Sequence, residues 1–357
     1  MSVAYLGEQI EMLRRVGLIA AVLGLVMPIG AADDYPGVAW GHVKSLSQAG
    51  WSAAKLKAAR QYSSTIPTDA VMIIEDGLVV SEWGATTEKI WIHSMRKSYM
   101  SALYGIYVAK GVIRLSKTLA ELGIDDNRPS LTAAEKRATI EDLLKARSGV
   151  YHTALEETAF MRDRRPERGS HPPGTFWFYN NWDFNALGTI FEKVTGKKIF
   201  EEVKLRLAEP LQMEDFQVSD GKYDTGPASI HRGYPMRMTA RDMARFGLLY
   251  MHEGAWRGKQ IVPQDWVRRS VTSYSRAGSM GGYGYLWWVT VGGKLYPGVT
   301  LDEGSFSAEG VGGNYLVVIP SRKLVVVHRV NARAGHKVKA AEFGQLLALI
   351  LEARTGK

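Results

Sequence analysis

Cysteine is absent from all 357 residues. No disulfide, thiol nucleophile, thiolate zinc site or lipidated N-terminal cysteine can therefore be built, and cysteine usage says nothing of the redox compartment. The eight histidines include no His-x-x-x-His and no Glu-flanked pair, so no metal is expected. Zinc-finger and RNA-binding aromatic signatures are missing too, and no basic run is free of acids, although Lys and Arg outnumber Asp and Glu by 45 to 36. The resulting charge of +9 is scattered. It argues against nucleic acid as a partner and suits only a loose association with an anionic cell envelope. No internal repeat or low-complexity linker interrupts the chain, and 46% hydrophobic against 23% charged residues supports a large buried core.

Seventeen uncharged residues run from Val16 to Ala32 (VGLIAAVLGLVMPIGAA) behind Arg14-Arg15. They are fewer than the roughly 20 a membrane-spanning helix needs. Pro28 and the small Gly30-Ala31-Ala32 match the exit of a secretory signal peptide cleaved after Ala32. Residues 1–32 are expected to be removed, with Met12 an alternative start and an uncleaved anchor the alternative fate. The mature chain is then expected in the periplasm or outside the cell, and it keeps the charge of +9, because the segment carries two arginines and two glutamates.

Downstream, residues 45–62 place Leu46, Trp51, Ala54, Leu56 and Ala59 near helical spacing. VMIIEDGLVVSEWG follows, and Asp76-Gly77 between two apolar runs predicts a hairpin with a type I′ turn. From about 95 to 270 the pattern is largely helical, several segments ending in glycine. Strands return in YGYLWWVTVGGKLYPG and in NYLVVIPSRKLVVVHRVN, and VKAAEFGQLLALILEAR closes the chain as a helix. This order predicts an α/β (α+β) fold: an antiparallel sheet flanked by N- and C-terminal helices, with an inserted all-helical domain. The boundaries expected are 33–105 and 230–357 for the α/β part and 106–229 for the helical part.

Chemistry concentrates in three places. Ser94-Met95-Arg96-Lys97 opens an apolar helical run, and spacing i, i+3 puts a hydroxyl and an amine on one face. Serine needs a base, and lysine serves as one only if burial or a nearby cation lowers its pKa. A second Ser-x-x-Lys, Ser52 to Lys55, is expected inside a polar-faced helix and carries no such context. Tyr179-Asn180-Asn181 is the only Tyr-x-Asn in the chain, and a phenol and an amide two apart before a helix can project into one cleft. FSAEGVGGNYLVVIP begins a late strand with small residues that let a backbone approach a substrate and present an N–H. Each element has a plainer reading. Ser94 would be an N-cap beside a surface lysine, Tyr179 a core aromatic, Asn181 a helix cap, and Ala308 to Val311 an ordinary strand edge. His93 is read as a wall residue because neighbours on a helix point about 100° apart. MRDRRPERGSHPPG is read as a solvated loop rimming the site, and Trp177, Trp182, Trp287 and Trp288 as candidate cleft lining.

Ser-x-x-Lys, Tyr-x-Asn and a glycine-rich strand start, in this order, resemble the serine β-lactamase and penicillin-binding protein superfamily. HSMRKSYMSALYGIYVAKG, TIEDLLKARSGV and PPGTFWFYNNWDFNALGTIFEKVTG are most similar to its class C-like branch of esterases, D-amino-acid peptidases and 6-aminohexanoate-dimer hydrolases. The resemblance covers nearly the whole mature chain and implies a β-lactamase/transpeptidase-like fold, with no cofactor. It makes Ser94 the acylated nucleophile, Lys97 its proton acceptor and Tyr179 the second base that shuttles protons to the leaving group. Asn181 would orient substrate or Lys97, and Val311, after Gly310, would join Ser94 in an oxyanion hole. One departure stands out: Ala308-Glu309-Gly310 replaces Lys-Thr-Gly or His-x-Gly, removing the contact to a substrate carboxylate. The expected activity is therefore hydrolysis of a small ester, amide or peptide. The alternatives are a non-catalytic penicillin- or cell-wall-binding module, or a weak β-lactamase or D,D-peptidase. Glu309 either favours a substrate with an amino group or points to solvent.

Overall fold

A computed structural model describes residues 35–355, so the signal-peptide reading of residues 1–32 and the alternative start at Met12 lie outside the described residues. Among the described residues no helix is long and apolar enough to cross a membrane.

The centre is an eight-stranded antiparallel sheet. Its strands are β1 (Ala70–Glu75), β2 (Leu78–Gly84), β3 (Ser275–Arg276), β4 (Gly282–Tyr283), β5 (Trp288–Val289), β6 (Phe306–Gly310), β7 (Asn314–Ile319) and β8 (Leu324–Arg329). They lie in the order β2-β1-β8-β7-β6-β5-β4-β3. Asp76 and Gly77 take the positive φ angles, 47° and 76°, that the tight β1–β2 turn requires. The early hairpin then pairs with the last strand, Val71 opposite His328 and Ile73 opposite Val326. Both ends of the chain thus complete one sheet, as the order of elements predicted.

β7 and β8 are buried along their whole length, which requires cover on both faces. Alternation supplies it. Tyr315 stacks on Phe343, 4.1 Å between centroids, in the C-terminal helix Ala340–Glu352. Its neighbour Leu316 faces the other way, towards helix Ala240–Met251. A methyl group added at Gly247 there would stand 2.7 Å from Leu316 Cδ1 and Val325 Cγ1, so glycine sets the depth of this packing. Helix Ala53–Ser63 lies along the C-terminal helix, Tyr62 donating to the Glu342 carbonyl at 3.3 Å and Lys55 to that of Glu352 at 3.1 Å.

Three expectations need correction. The first helix begins at Ala53 rather than near 45, because Ser52 accepts the Lys55 N–H as its N-cap; Ser52 is therefore a cap and not an interior residue. Residues 95–270 also hold short ladders, Asp224–Gly226 with Ser229–Gly233 and Ala255–Trp256 with Lys259–Gln260, too brief to show a period of two. YGYLWWVTVGGKLYPG contributes only Tyr283, the second residue of β4, and the two-residue strand β5 to the sheet. The helical expectation holds for Arg96–Ala109, Ile140–Leu144, Asn181–Thr195, Ile199–Val203 and Ala240–Met251.

A buried cation ties the sheet to the segment ahead of Ser94. Arg329, at the end of β8, is 1% exposed. Its guanidinium donates to Asn314 Oδ1 at 3.0 Å, the Met238 carbonyl at 2.8 Å and the Ile90 carbonyl at 3.0 Å. Ile90–Trp91 pairs with Arg237–Met238, so one side chain fixes both strands of that ladder to the sheet. Burial lowers its pKa only to about 10, which leaves it charged. Replacing it strips buried carbonyls of their donors. Arg329→Met is expected to lower unfolding stability by roughly 3 kcal/mol, read from the urea midpoint; an unchanged midpoint would show that the anchor is dispensable.

Candidate active site

Ser94 sits in a 3-10 turn, His93–Met95, that runs directly into helix Arg96–Ala109. The approach is constrained from behind. Ile90–Trp91 is held by Arg329, the Ile92 N–H donates to the Met236 carbonyl at 3.1 Å, and His93 then takes a left-handed φ of 50°. That conformation is unfavourable for a residue with a Cβ. It turns the chain so that Ser94 stands at the helix N-terminus, where developing negative charge is favoured.

One turn later Lys97 is 1% exposed. Its Nζ lies 2.9 Å from Ser94 Oγ, 2.7 Å from the Tyr179 hydroxyl and 2.9 Å from Asn181 Oδ1. No carboxylate reaches it among the described residues. Burial holds its pKa well below the usual lysine value, the Arg96 charge pushes the same way, and Glu156 opposes them. In its deprotonated form the amine has two N–H groups and one lone pair. Asn181 Oδ1 can only accept, so it takes one N–H. Of the two hydroxyls, one accepts the second N–H and the other donates to the lone pair. The cluster therefore contains an amine that can receive a hydroxyl proton.

Tyr179 and Asn181 arrive together from the start of helix Asn181–Thr195. Capping falls to Asn180, whose side chain accepts the Trp182 N–H at 3.2 Å. Asn181 is released to bridge Lys97 and the Glu156 carbonyl, to which its Nδ2 donates at 2.7 Å. The two readings of Tyr-x-Asn thus apply to adjacent residues. Tyr179 stacks on Trp288 at 5.3 Å and meets Tyr283 edge-on at 5.9 Å. Burial pushes its phenol well up, offset in part by its hydrogen bond with Ser94 and by Arg96, so it stands protonated. Trp177 packs on Trp288 beside it. Trp182 and Trp287 are fully buried and leave the set of lining candidates. Trp182 donates to Asp126 at 2.7 Å, and Trp287 packs against Tyr250 at 4.6 Å.

The third segment closes on the same turn. A methyl at Gly310 would stand 2.5 Å from the Ile92 carbonyl and 3.2 Å from Met95 Cγ, so only glycine lets β6 come this near to Ser94. Val311 follows at the strand end, 48% exposed. Ala308 is buried where the superfamily carries a cation or imidazole. Glu309 is partly buried rather than turned fully to solvent. His93 has its pKa lowered to about 4 by burial and by Arg96, Arg333 and Arg329, which leaves a neutral ring.

Sequence reasoning missed the pair behind Lys97. Arg96, 3% exposed, is ion-paired with Glu156 and lies 4.7 Å over the Tyr234 ring. Arg96 lies inside the Ser-x-x-Lys string, but nothing in that string marks it as buried, and Glu156 has no motif at all. The Arg-rich segment is likewise more ordered than a solvated loop. Ala159–Arg164 is helical behind a Thr158 cap, and Arg168 donates to both Glu135 oxygens at 2.9 and 2.8 Å.

Comparison with known proteins bears on the family and the fold. The family model described as Beta-lactamase matches residues 53–351. The 6-aminohexanoate-dimer hydrolase of Paenarthrobacter ureafaciens is 24% identical over 293 residues, 73% of this chain and 71% of that protein. A Bacillus anthracis structure provisionally named a 6-aminohexanoate-dimer hydrolase superposes with a TM-score of 0.63 at 21% identity, covering 89% of this chain and 87% of that one. The octameric penicillin-binding protein homologue from Pyrococcus abyssi gives 0.61 at 19% identity, covering 84% and 76%. At these identities the structures speak for the antiparallel, helix-flanked fold alone, whereas the family match spans most of the chain. On that match, the chain belongs to the beta-lactamase family.

Proposed function

We propose that the protein is a serine hydrolase that cleaves an ester or amide through an acyl-enzyme on Ser94. The observation that carries the reading is a buried amine, Lys97, within 2.9 Å of a serine hydroxyl and 2.7 Å of a phenol. Neutral Lys97 takes the Ser94 proton as Oγ bonds to the substrate carbonyl carbon. The tetrahedral oxyanion is held by the backbone N–H groups of Ser94 and Val311. Lys97, now an ammonium, gives a proton to the Tyr179 oxygen while that phenol passes its own to the leaving alkoxide or amine, and the C–O or C–N bond breaks. Water then adds to the acyl-Ser94 carbonyl by the same relay run in reverse, releasing the acid. No step requires a cofactor. The loss of the third-motif cation at Ala308 weighs against substrates anchored by a carboxylate, β-lactams included. The relative from Paenarthrobacter ureafaciens, named a 6-aminohexanoate-dimer hydrolase, supports the amide half of the reading.

With short-chain nitrophenyl esters, intact-mass measurement is expected to show an acyl adduct on Ser94. Ser94→Ala should abolish both adduct and turnover, a loss of roughly 10³-fold or more. Tyr179→Phe should lower kcat by roughly 10²-fold while the adduct still forms. If the wild type neither acylates nor turns over any ester, amide or β-lactam, the chain is a binding module.

The pH profile follows from Lys97. Its pKa is lowered in the fold, so the free base persists to lower pH than for an ordinary lysine, and activity falls on acidification as the amine protonates. Arg96 contributes to the lowering and Glu156 resists it. Arg96→Met is therefore expected to shift the acid limb of kcat/KM to higher pH; an unmoved limb would remove Lys97 as the titrating base.

A further inference from the structure

Glu309 is a carboxylate that the proposed reaction does not use. It lies in β6 opposite Tyr315, one residue before the glycine that touches the turn carrying Ser94. Its neighbours in sequence along the same strand, Ala308 and Ser307, are buried, whereas Glu309 keeps part of its exposure as a residue. Among the described residues, its Oε1 is buried without a hydrogen-bond partner. No lysine, arginine or histidine stands within ion-pair distance there, since every such pair involves other residues. The Tyr296 hydroxyl, which also bonds Ser307 Oγ at 2.5 Å, is the one side chain that hydrogen-bonds this carboxyl among the described residues. Burial accordingly pushes the Glu309 carboxyl up to about 8, offset only in part by Tyr296. Its charge is felt by Tyr179, Tyr283, Tyr296 and Tyr315.

A carboxyl that burial holds largely protonated at pH 7, with no cation beside it among the described residues, is poor at holding an anion and ionises when a cation arrives. The ionised carboxylate then supplies charge and the ring faces supply cation–π attraction. A buried acceptor without a donor is also unfavourable until a donor arrives. Resting on the hydrolase reading above, we infer that Glu309 selects substrates bearing a protonated amine or quaternary ammonium group near the scissile carbonyl. The polarity of the subsite is thus opposite to that of a site built on Lys-Thr-Gly, where a cation receives a carboxylate. Glu309 is a specificity residue in this account and takes no part in proton transfer.

The test compares two nitrophenyl esters of equal chain length, pentanoate and 5-(trimethylammonio)pentanoate, the second being unable to cyclise. The readout is the ratio of their kcat/KM values, with the Ser94 adduct mass as a check. The wild type is expected to prefer the cationic ester by about tenfold or more, a size typical of a partly desolvated ion pair. Glu309→Gln should bring the ratio close to one, and Glu309→Lys should invert it. A neutral ester turned over with no cationic preference, or a preference that survives Glu309→Gln, overturns this inference and leaves the hydrolase intact. If neither ester acylates wild-type Ser94, the hydrolase reading falls and the inference falls with it.

Discussion

Everything at the site depends on keeping one lysine out of water. Lys97 is shut in by Tyr179 and Phe184, whose ring centroids lie 4.3 and 4.2 Å from Nζ, and by the buried Arg96 beside it. Desolvation disfavours its charged form, and in the proposed reaction that preference lets a side chain that is an acid in water serve as a base. The same preference works against folding. In the unfolded chain the amine binds a proton over a pH range where the folded chain does not, so stability rises with pH between the two values and is reduced at neutral pH. The family fold therefore holds a destabilising group at its centre, and the surrounding structure must supply the difference.

That supply comes from elements far from Ser94 in sequence. β1 and β8 pair next to the β2 edge of the sheet, and Arg329 reaches from the end of β8 to the Ile90 and Met238 carbonyls. This fixes the path into the strained His93 turn. Glycine at 310 lets β6 close on that turn from the other side. Asn181 pins the amine, and the Arg96–Glu156 pair sits behind it as a fixed charge pair whose two members pull the Lys97 pKa in opposite directions. The Ser94–Lys97–Tyr179 cluster is thus small, but it is assembled from a helix N-terminus, a second helix start and a strand end.

Much of this was legible beforehand, for physical reasons. Ser94, Lys97 and Tyr179 are recognisable because proton transfer demands particular groups at particular spacings, and the Asp76-Gly77 turn because its φ values demand particular residues. The Asn at 181 was ambiguous until the helix start was seen, since two asparagines were available and one caps the helix. Arg96, Glu156 and Arg329 were not legible. A buried arginine reads in sequence like an exposed one, because its burial depends on carbonyls contributed by distant segments. The tryptophans show the reverse error: aromatic character does not tell core from cleft, and Trp182 and Trp287 belong to the core. Many of the cations stand in local ion pairs such as Arg241 with Glu214 and Asp215, which leaves the excess of +9 unchanged.

The central claim is that Lys97 is a neutral amine at neutral pH. Nitrogen-15 NMR of lysine-labelled protein, with the Lys97 signal assigned by its loss in Lys97→Met, measures this without reference to any substrate. The account predicts an Nζ resonance with the shift of an uncharged amine at pH 7, moving to that of an ammonium only on acidification. An Nζ that stays an ammonium from pH 7 up to the ordinary lysine value of 10.5 would contradict it.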